Sequence, residues 1–123
     1  GITGRVSCME LSLSSVLREE PKAVAAKTVS RYPSSDVDLA FVVPNTVSAF
    51  DVHRAVRQGA GALAVSVDLF DIYRGKGVSD DSRSLAFRIR LQAPDRTLTD
   101  EEVAAARQKS IDAVSKLGAQ LRA

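Results

Sequence analysis

The sequence predicts an α+β fold, a single four-stranded antiparallel sheet with two helices packed on one face, and three observations point to it. Apolar and polar residues alternate over three stretches separated by turn signals. Two capped stretches carry apolar residues at helical spacing. The elements follow in the order strand, helix, strand, strand, helix, strand. With 123 residues, 45% of them hydrophobic, the chain is long enough for one compact core and hardly for two.

Residues 1–29 read as an extension with no motif of its own. Met9, Leu11 and Leu13 alternate with Cys8, Glu10 and Ser12, the period-two pattern of a half-buried strand. Ser14 and Ser15 offer an N-cap for a short helical turn from Val16 to Glu20, which Pro21 ends, and Ala23 to Val29 reads as extended. Cys8 is the only cysteine, so no internal disulfide can form, and it is expected as a small buried apolar residue. The sequence opens at Gly1 instead of Met, in what reads as the approach to a strand, so it is expected to have been cut from something longer.

In the first strand of the main unit Val37, Leu39, Phe41 and Val43 point one way while Asp38, Ala40 and Val42 point the other. Pro44 and Asn45 break it. Ser48, with Asp51 three residues on, caps a helix whose inner stripe is Ala49, Val52, Ala55 and Val56, and Gly59 and Gly61 end that helix as a turn. The second strand runs from about Leu63 to Tyr73, and its parity slips. Val65, Val67 and Leu69 share one phase; Phe70 and Ile72 then take the inward side, which requires a bulge near Leu69 and Phe70. Past that bulge Asp71 and Tyr73 face away from the core.

Arg74 to Arg83, with Gly75 and Gly77, reads as a flexible polar hairpin loop. In the third strand Leu85, Phe87, Ile89 and Leu91 alternate with Ser84, Ala86, Arg88 and Arg90. Pro94 and Asp95 turn the chain, and Thr99 with Glu102 forms a capping box for a helix lined by Val103, Ala106, Ile111, Val114 and Leu117. Gly118 ends it, and Ala119 to Arg122 supplies a short closing strand. This βαββαβ order is the ferredoxin-like sandwich.

A sheet covered on one side leaves the other free to meet a partner. By parity that face carries Asp38, Ala40, Asp71, Tyr73, Ser84, Ala86, Arg88 and Arg90. Small residues beside an aromatic ring, a carboxylate and two arginines suit an unstacked base and its phosphates. The net charge of +2 is too small to argue for nucleic acid by itself. Its distribution is more informative: from Arg74 to Arg96 the basic residues outnumber the acids, whereas the remainder is nearly balanced.

No catalytic or metal-binding constellation appears. His53 is the lone histidine, read as a solvated helix residue with no nucleophile to pair with, and one Cys and one His far apart give no ligand spacing. No apolar run reaches the roughly 18 residues that span a bilayer, and no secretory signal opens the chain, so a soluble cytoplasmic protein is expected.

The stretches Tyr32-Pro33, Asp38-Leu39-Ala40, Phe70-Asp71-Ile72-Tyr73-Arg74-Gly75, Ser84-Leu85-Ala86-Phe87 and Arg96-Thr97-Leu98-Thr99-Asp100-Glu101-Glu102-Val103 resemble the ferredoxin-fold anticodon-binding domain that closes the beta chain of bacterial phenylalanine–tRNA ligase. The resemblance runs from about Ser30 to Arg122, so residues 30–123 would be this domain and residues 1–29 the tail of a preceding catalytic-like region with a linker. It implies that Ala40, Asp71, Tyr73 and Ser84 hold the anticodon of tRNA(Phe), with Tyr73 stacked on the wobble guanine and Asp71 and Ser84 bonded to its edge. Arg74, Lys76, Arg88 and Arg90 are the candidate phosphate contacts. The chain departs from the family at Asp36-Val37, where a basic pair is common. The resemblance further implies an alpha2beta2 heterotetramer with an alpha subunit that performs the chemistry, using ATP and Mg2+, and no cofactor in this part. A structural docking domain and a small-molecule regulatory module of the same topology are the competing readings. An acylphosphatase-like enzyme would need an arginine-bearing phosphate loop, which Pro44-Asn45-Thr46 does not match.

Overall fold

The alternating stretches are strands in the computed structural model, which describes Gly1, residues 3–18 and residues 30–122. They are β1 (Ser35–Pro44), β2 (Ala64–Tyr73) and β3 (Ser82–Leu91), joined by the two-residue β4 (Gln120–Leu121). The order across the sheet is β2-β3-β1-β4, with every neighbouring pair antiparallel. β1 and β2 therefore run parallel without touching, and the helix between them must cross over one face of the sheet. Counting from the short helix α1 (Leu13–Leu17) in the extension, this crossover is α2 (Ala49–Ala60), and α3 (Asp100–Ser115) packs beside it.

Caps start both helices where the sequence places them. Ser48 Oγ accepts the Asp51 amide at 3.0 Å, and Thr99 and Glu102 form the reciprocal capping box. Each satisfied amide removes one of the orphan donors at a helix start, and three acids in the first turn of α3 meet its positive end.

The core lies between the helices and one face of the sheet. Leu39, Phe41 and Val43 of β1 and Leu85, Phe87, Ile89 and Leu91 of β3 meet Val52 and Val56 of α2 and Ala106 and Val114 of α3, all buried. Burying a side chain such as Phe41 or Phe87 contributes about 1.5–3 kcal/mol each. Ser110 is the polar exception: its Oγ lies 2.9 Å from the Ala106 carbonyl oxygen and 3.2 Å from that of Val56, so no buried donor is wasted.

Several expectations need correction. Gly59 belongs to α2 and is not part of a turn; Gly61 ends the helix. A Cβ at Gly59 would lie 2.5 Å from the Lys109 carbonyl oxygen and from the Ser110 Cα, so α2 and α3 touch here through backbone. α3 closes at Ser115, before Gly118, and a turn completes the approach to β4. Met9, Leu11 and Leu13 form no strand; all are exposed, because no described residue supplies the ladder or apolar cover that a strand needs. The helical turn there begins after Ser12, at Leu13, and Cys8 is exposed. Glu20, Pro21 and the stretch from Ala23 to Val29 lie outside the described residues. His53 is no solvated residue: its Nε2 is 3.0 Å from the Val67 carbonyl oxygen, tying α2 to β2.

β2 carries two register shifts, between Ala64 and Ser66 and between Leu69 and Asp71. The second is the bulge read from the parity slip. The first leaves no trace in the parity of the sequence and turns Val65, which shares the phase of Val67, out to 54% exposure. Phe70, expected inside, is the unpaired residue of the second bulge and is exposed; Ile72 shares the covered face with its partner Leu85 but lies open at the edge strand.

Candidate nucleic-acid interface

The second bulge decides what the uncovered face presents. Without it, Asp71 and Tyr73 would keep the phase of Val67 and Leu69 and point toward the helices. With it, Asp71 pairs with Ala86 and Tyr73 with Ser84. The register of β1 on β3 sets Ala40 opposite Ala86 and Val42 opposite Ser84. Two adjacent rows result, Asp71–Ala86–Ala40 and Tyr73–Ser84–Val42, and both lie on the side away from the helices. Ala40, Asp71, Tyr73 and Ser84 are thus neighbours within a few strand spacings of about 4.8 Å.

Tyr73 is 36% exposed and tethered at its tip, where its hydroxyl donates to the Lys76 carbonyl at 3.2 Å. The hairpin loop folds back to make that contact. Gly75 permits it, with φ at +147°, and a Cβ there would lie 2.9 Å from the Tyr73 hydroxyl and push the ring from this position. From the opposite edge, Arg122 follows β4, donates its amide to the Ala40 carbonyl, and carries its guanidinium carbon to 4.9 Å from the Tyr73 ring centroid. Since β3 and β1 lie between those edges, the two side chains meet above the small residues of both middle strands. Ser84 beneath them is only 3% exposed, although no helix covers its side.

The four candidate cations stand in two settings. Arg88 is held by Asp38 through Nε at 2.9 Å and Nη2 at 2.7 Å, and Arg90 by Asp36 through the same pair of nitrogens at 2.9 and 2.8 Å. Asp38–Arg88 and Asp36–Arg90 are direct cross-strand partners, so the register itself makes these forked pairs. The Arg88 hydrogen bonds hold Asp38 below the usual carboxylate range, and those of Arg90 do the same for Asp36. Both arginines are correspondingly raised. Asp36 thus serves as the partner of Arg90. Arg74 and Lys76 differ: among the described residues neither enters an ion pair, and Arg74 donates to the Asn45 side-chain oxygen at 2.9 Å. Arg83 fastens the same corner by donating to the Pro44 and Val47 carbonyls.

Two residues on this face escaped the sequence reading. Arg122 lies beyond a two-residue strand, and its meeting with Tyr73 depends on the strand order. Phe70 lies with Arg88, whose guanidinium carbon is 5.3 Å from its ring centroid. A parity slip can locate a bulge but cannot say which way the extra side chain turns.

A four-stranded antiparallel sheet with both helices on one side, and a ring, a carboxylate and small residues in adjacent rows on the other, defines a ferredoxin-like α+β domain with an open face. The chain belongs to the ferredoxin-fold anticodon binding domain family, whose family model matches residues 30–122. It is similar to the phenylalanine–tRNA ligase beta subunit of Cutibacterium acnes, with 39% identity over 123 residues, covering 99% of this chain and 15% of that one. The same subunit of Geobacillus kaustophilus is 41% identical over 114 residues, 92% of this chain and 14% of the relative. That of Synechococcus sp. is 54% identical over 80 residues, 65% of this chain and 10% of the relative. The chain therefore spans about one seventh of the length of the first two relatives.

Proposed function

We propose that residues 30–123 bind the anticodon of tRNA(Phe) on the open sheet face, as part of a phenylalanine–tRNA ligase beta subunit, with residues 1–29 as the tail of a preceding region. The observation that carries this reading is the gathering of Ala40, Asp71, Tyr73 and Ser84 in two adjacent rows of the uncovered face. Guanine offers N1–H and N2–H donors, which the Asp71 carboxylate can accept together, and the Tyr73 ring gives it a stacking plane. Ala40 leaves the floor low enough for a base to approach. The Ser84 hydroxyl can donate or accept once a base displaces what covers it, and the neighbouring Arg122–Tyr73 contact is worth only about 0.5–1 kcal/mol at an exposed site.

Arg74 and Lys76, free of carboxylate partners among the described residues, are the first choices for phosphate; Arg88 and Arg90 reach one only by sharing or leaving Asp38 and Asp36. ATP and Mg2+ serve the assembled cytoplasmic ligase, an alpha2beta2 heterotetramer whose alpha subunit joins phenylalanine to the tRNA. This domain contributes tRNA recognition and no bond-making group. The test is photocrosslinking of tRNA(Phe) carrying 6-thioguanosine at the wobble position to the full-length ligase. Adducts within residues 71–84 are expected; adducts confined to other parts of the ligase would remove the open face from the site.

A further inference from the structure

We propose that Phe70 and Arg88 form a second stacking position for a nucleobase, beside the one at Tyr73; this rests on reading the open face as an RNA seat. Phe70 is neither in the core nor among the side chains packed against it. It is the extra residue of the bulge, left without a β3 partner between Leu69 and Asp71, and it is 55% exposed. A phenyl ring left more than half exposed buries little apolar surface for the fold and stays within reach of a ligand. Its neighbour is the Arg88 guanidinium, 5.3 Å from the ring centroid, and that group is itself fixed by the forked pair with Asp38. Because Asp38 and Arg88 face each other across β1 and β3 on the uncovered side, the Phe70 ring is at that side as well.

The result is an aromatic plane and a flat cation, both surfaces on which bases stack, with Arg88 oriented by a carboxylate instead of swinging freely. Phe70 and Tyr73 are three residues apart on β2, about 10 Å along the strand. That is roughly three times the 3.4 Å rise of a stacked nucleotide strand. A chain that unstacks between the two rings therefore reaches both, with one base on Tyr73 and a neighbouring one on Phe70. Phe70 offers no edge-reading group and Arg88 turns its Nε and Nη2 to Asp38, so stacking dominates and this position adds affinity with little choice of sequence.

The experiment uses tRNA(Phe) with 2-aminopurine at each anticodon-loop position in turn, bound to the full-length assembled ligase carrying Phe70→Leu, Phe70→Trp or Tyr73→Ala. Phe70→Leu should weaken binding by about 5- to 150-fold and restore the fluorescence of an analogue one or two nucleotides from the wobble position. Phe70→Trp, which keeps a stacking plane, should bind like the wild type. If Tyr73→Ala weakens binding while Phe70→Leu changes neither affinity nor fluorescence at any position, the second position is wrong and the first stands. If neither substitution has an effect, the reading of the face as an RNA seat fails and takes this inference with it. Unchanged melting of the Phe70 variants guards against misfolding, and a loss shared equally by Phe70→Leu and Phe70→Trp would overturn the stacking role.

Discussion

The guanidinium carbon of Arg122 stands 4.9 Å from the centroid of the Tyr73 ring, although the two residues come from opposite edges of the sheet. Tyr73→Ala removes both the stacking plane and one half of this contact. We expect it to weaken tRNA(Phe) binding by the assembled ligase by about 1–3 kcal/mol, measured by filter binding. Unchanged affinity would take Tyr73 out of the site.

Asp71→Asn tests the edge contact separately from stacking. The amide replaces one acceptor oxygen by a donor, which opposes the N–H groups of guanine. The loss should be about 1.5–3 kcal/mol for a tRNA with a wobble guanine and smaller for the other three bases. Equal losses across four wobble variants would contradict the assignment.

Gly59→Ala probes the helix layer and leaves the open face alone. Its Cβ would meet the Lys109 carbonyl oxygen at 2.5 Å, and backbone cannot swing aside as a side chain can. Urea unfolding should report a destabilisation of about 1–3 kcal/mol, the usual cost of overpacking. A variant as stable as the wild type would show that the two helices can part without penalty.

The forked pairs predict an acid limit. Asp36 and Asp38 are held below the ordinary aspartate value by hydrogen bonds from Arg90 and Arg88. A depressed folded pKa gives stability that is complete above the unfolded value of about 3.9 and is lost as pH falls through the lower folded value. The melting temperature should therefore fall below about pH 4 on this account. In the Asp36→Asn/Asp38→Asn variant the fall should be shallower over that same window. Superimposable curves would mean that the pairs add nothing to the folded state.

Much of the fold was legible because local chemistry and global arrangement agree. Alternation in β1 and β3, the Ser48 and Thr99 caps, and the parity slip at Leu69 and Phe70 each act over a few residues, and together they leave one arrangement. The slip also carried Asp71 and Tyr73 to the open face. Other features depend on what stands opposite in the sheet. Asp36 finds Arg90 through register, Arg122 finds Tyr73 through strand order, and Gly59 is required by a helix 50 residues away in sequence. Val65 and Phe70 show a related limit, since apolar residues at bulges lose the parity that would assign their side. In the extension, Met9, Leu11 and Leu13 have a strand's pattern without a described partner to pair with.

Filter binding of two tRNAs to the assembled ligase tests the central claim most directly: tRNA(Phe), and the same tRNA with its wobble guanine replaced. The wild-type enzyme should bind the altered tRNA at least about tenfold more weakly, a difference of about 1.4 kcal/mol, and the Asp71→Asn/Tyr73→Ala variant should bind both alike. Equal binding by the wild type, or discrimination that survives in the variant, would contradict the account.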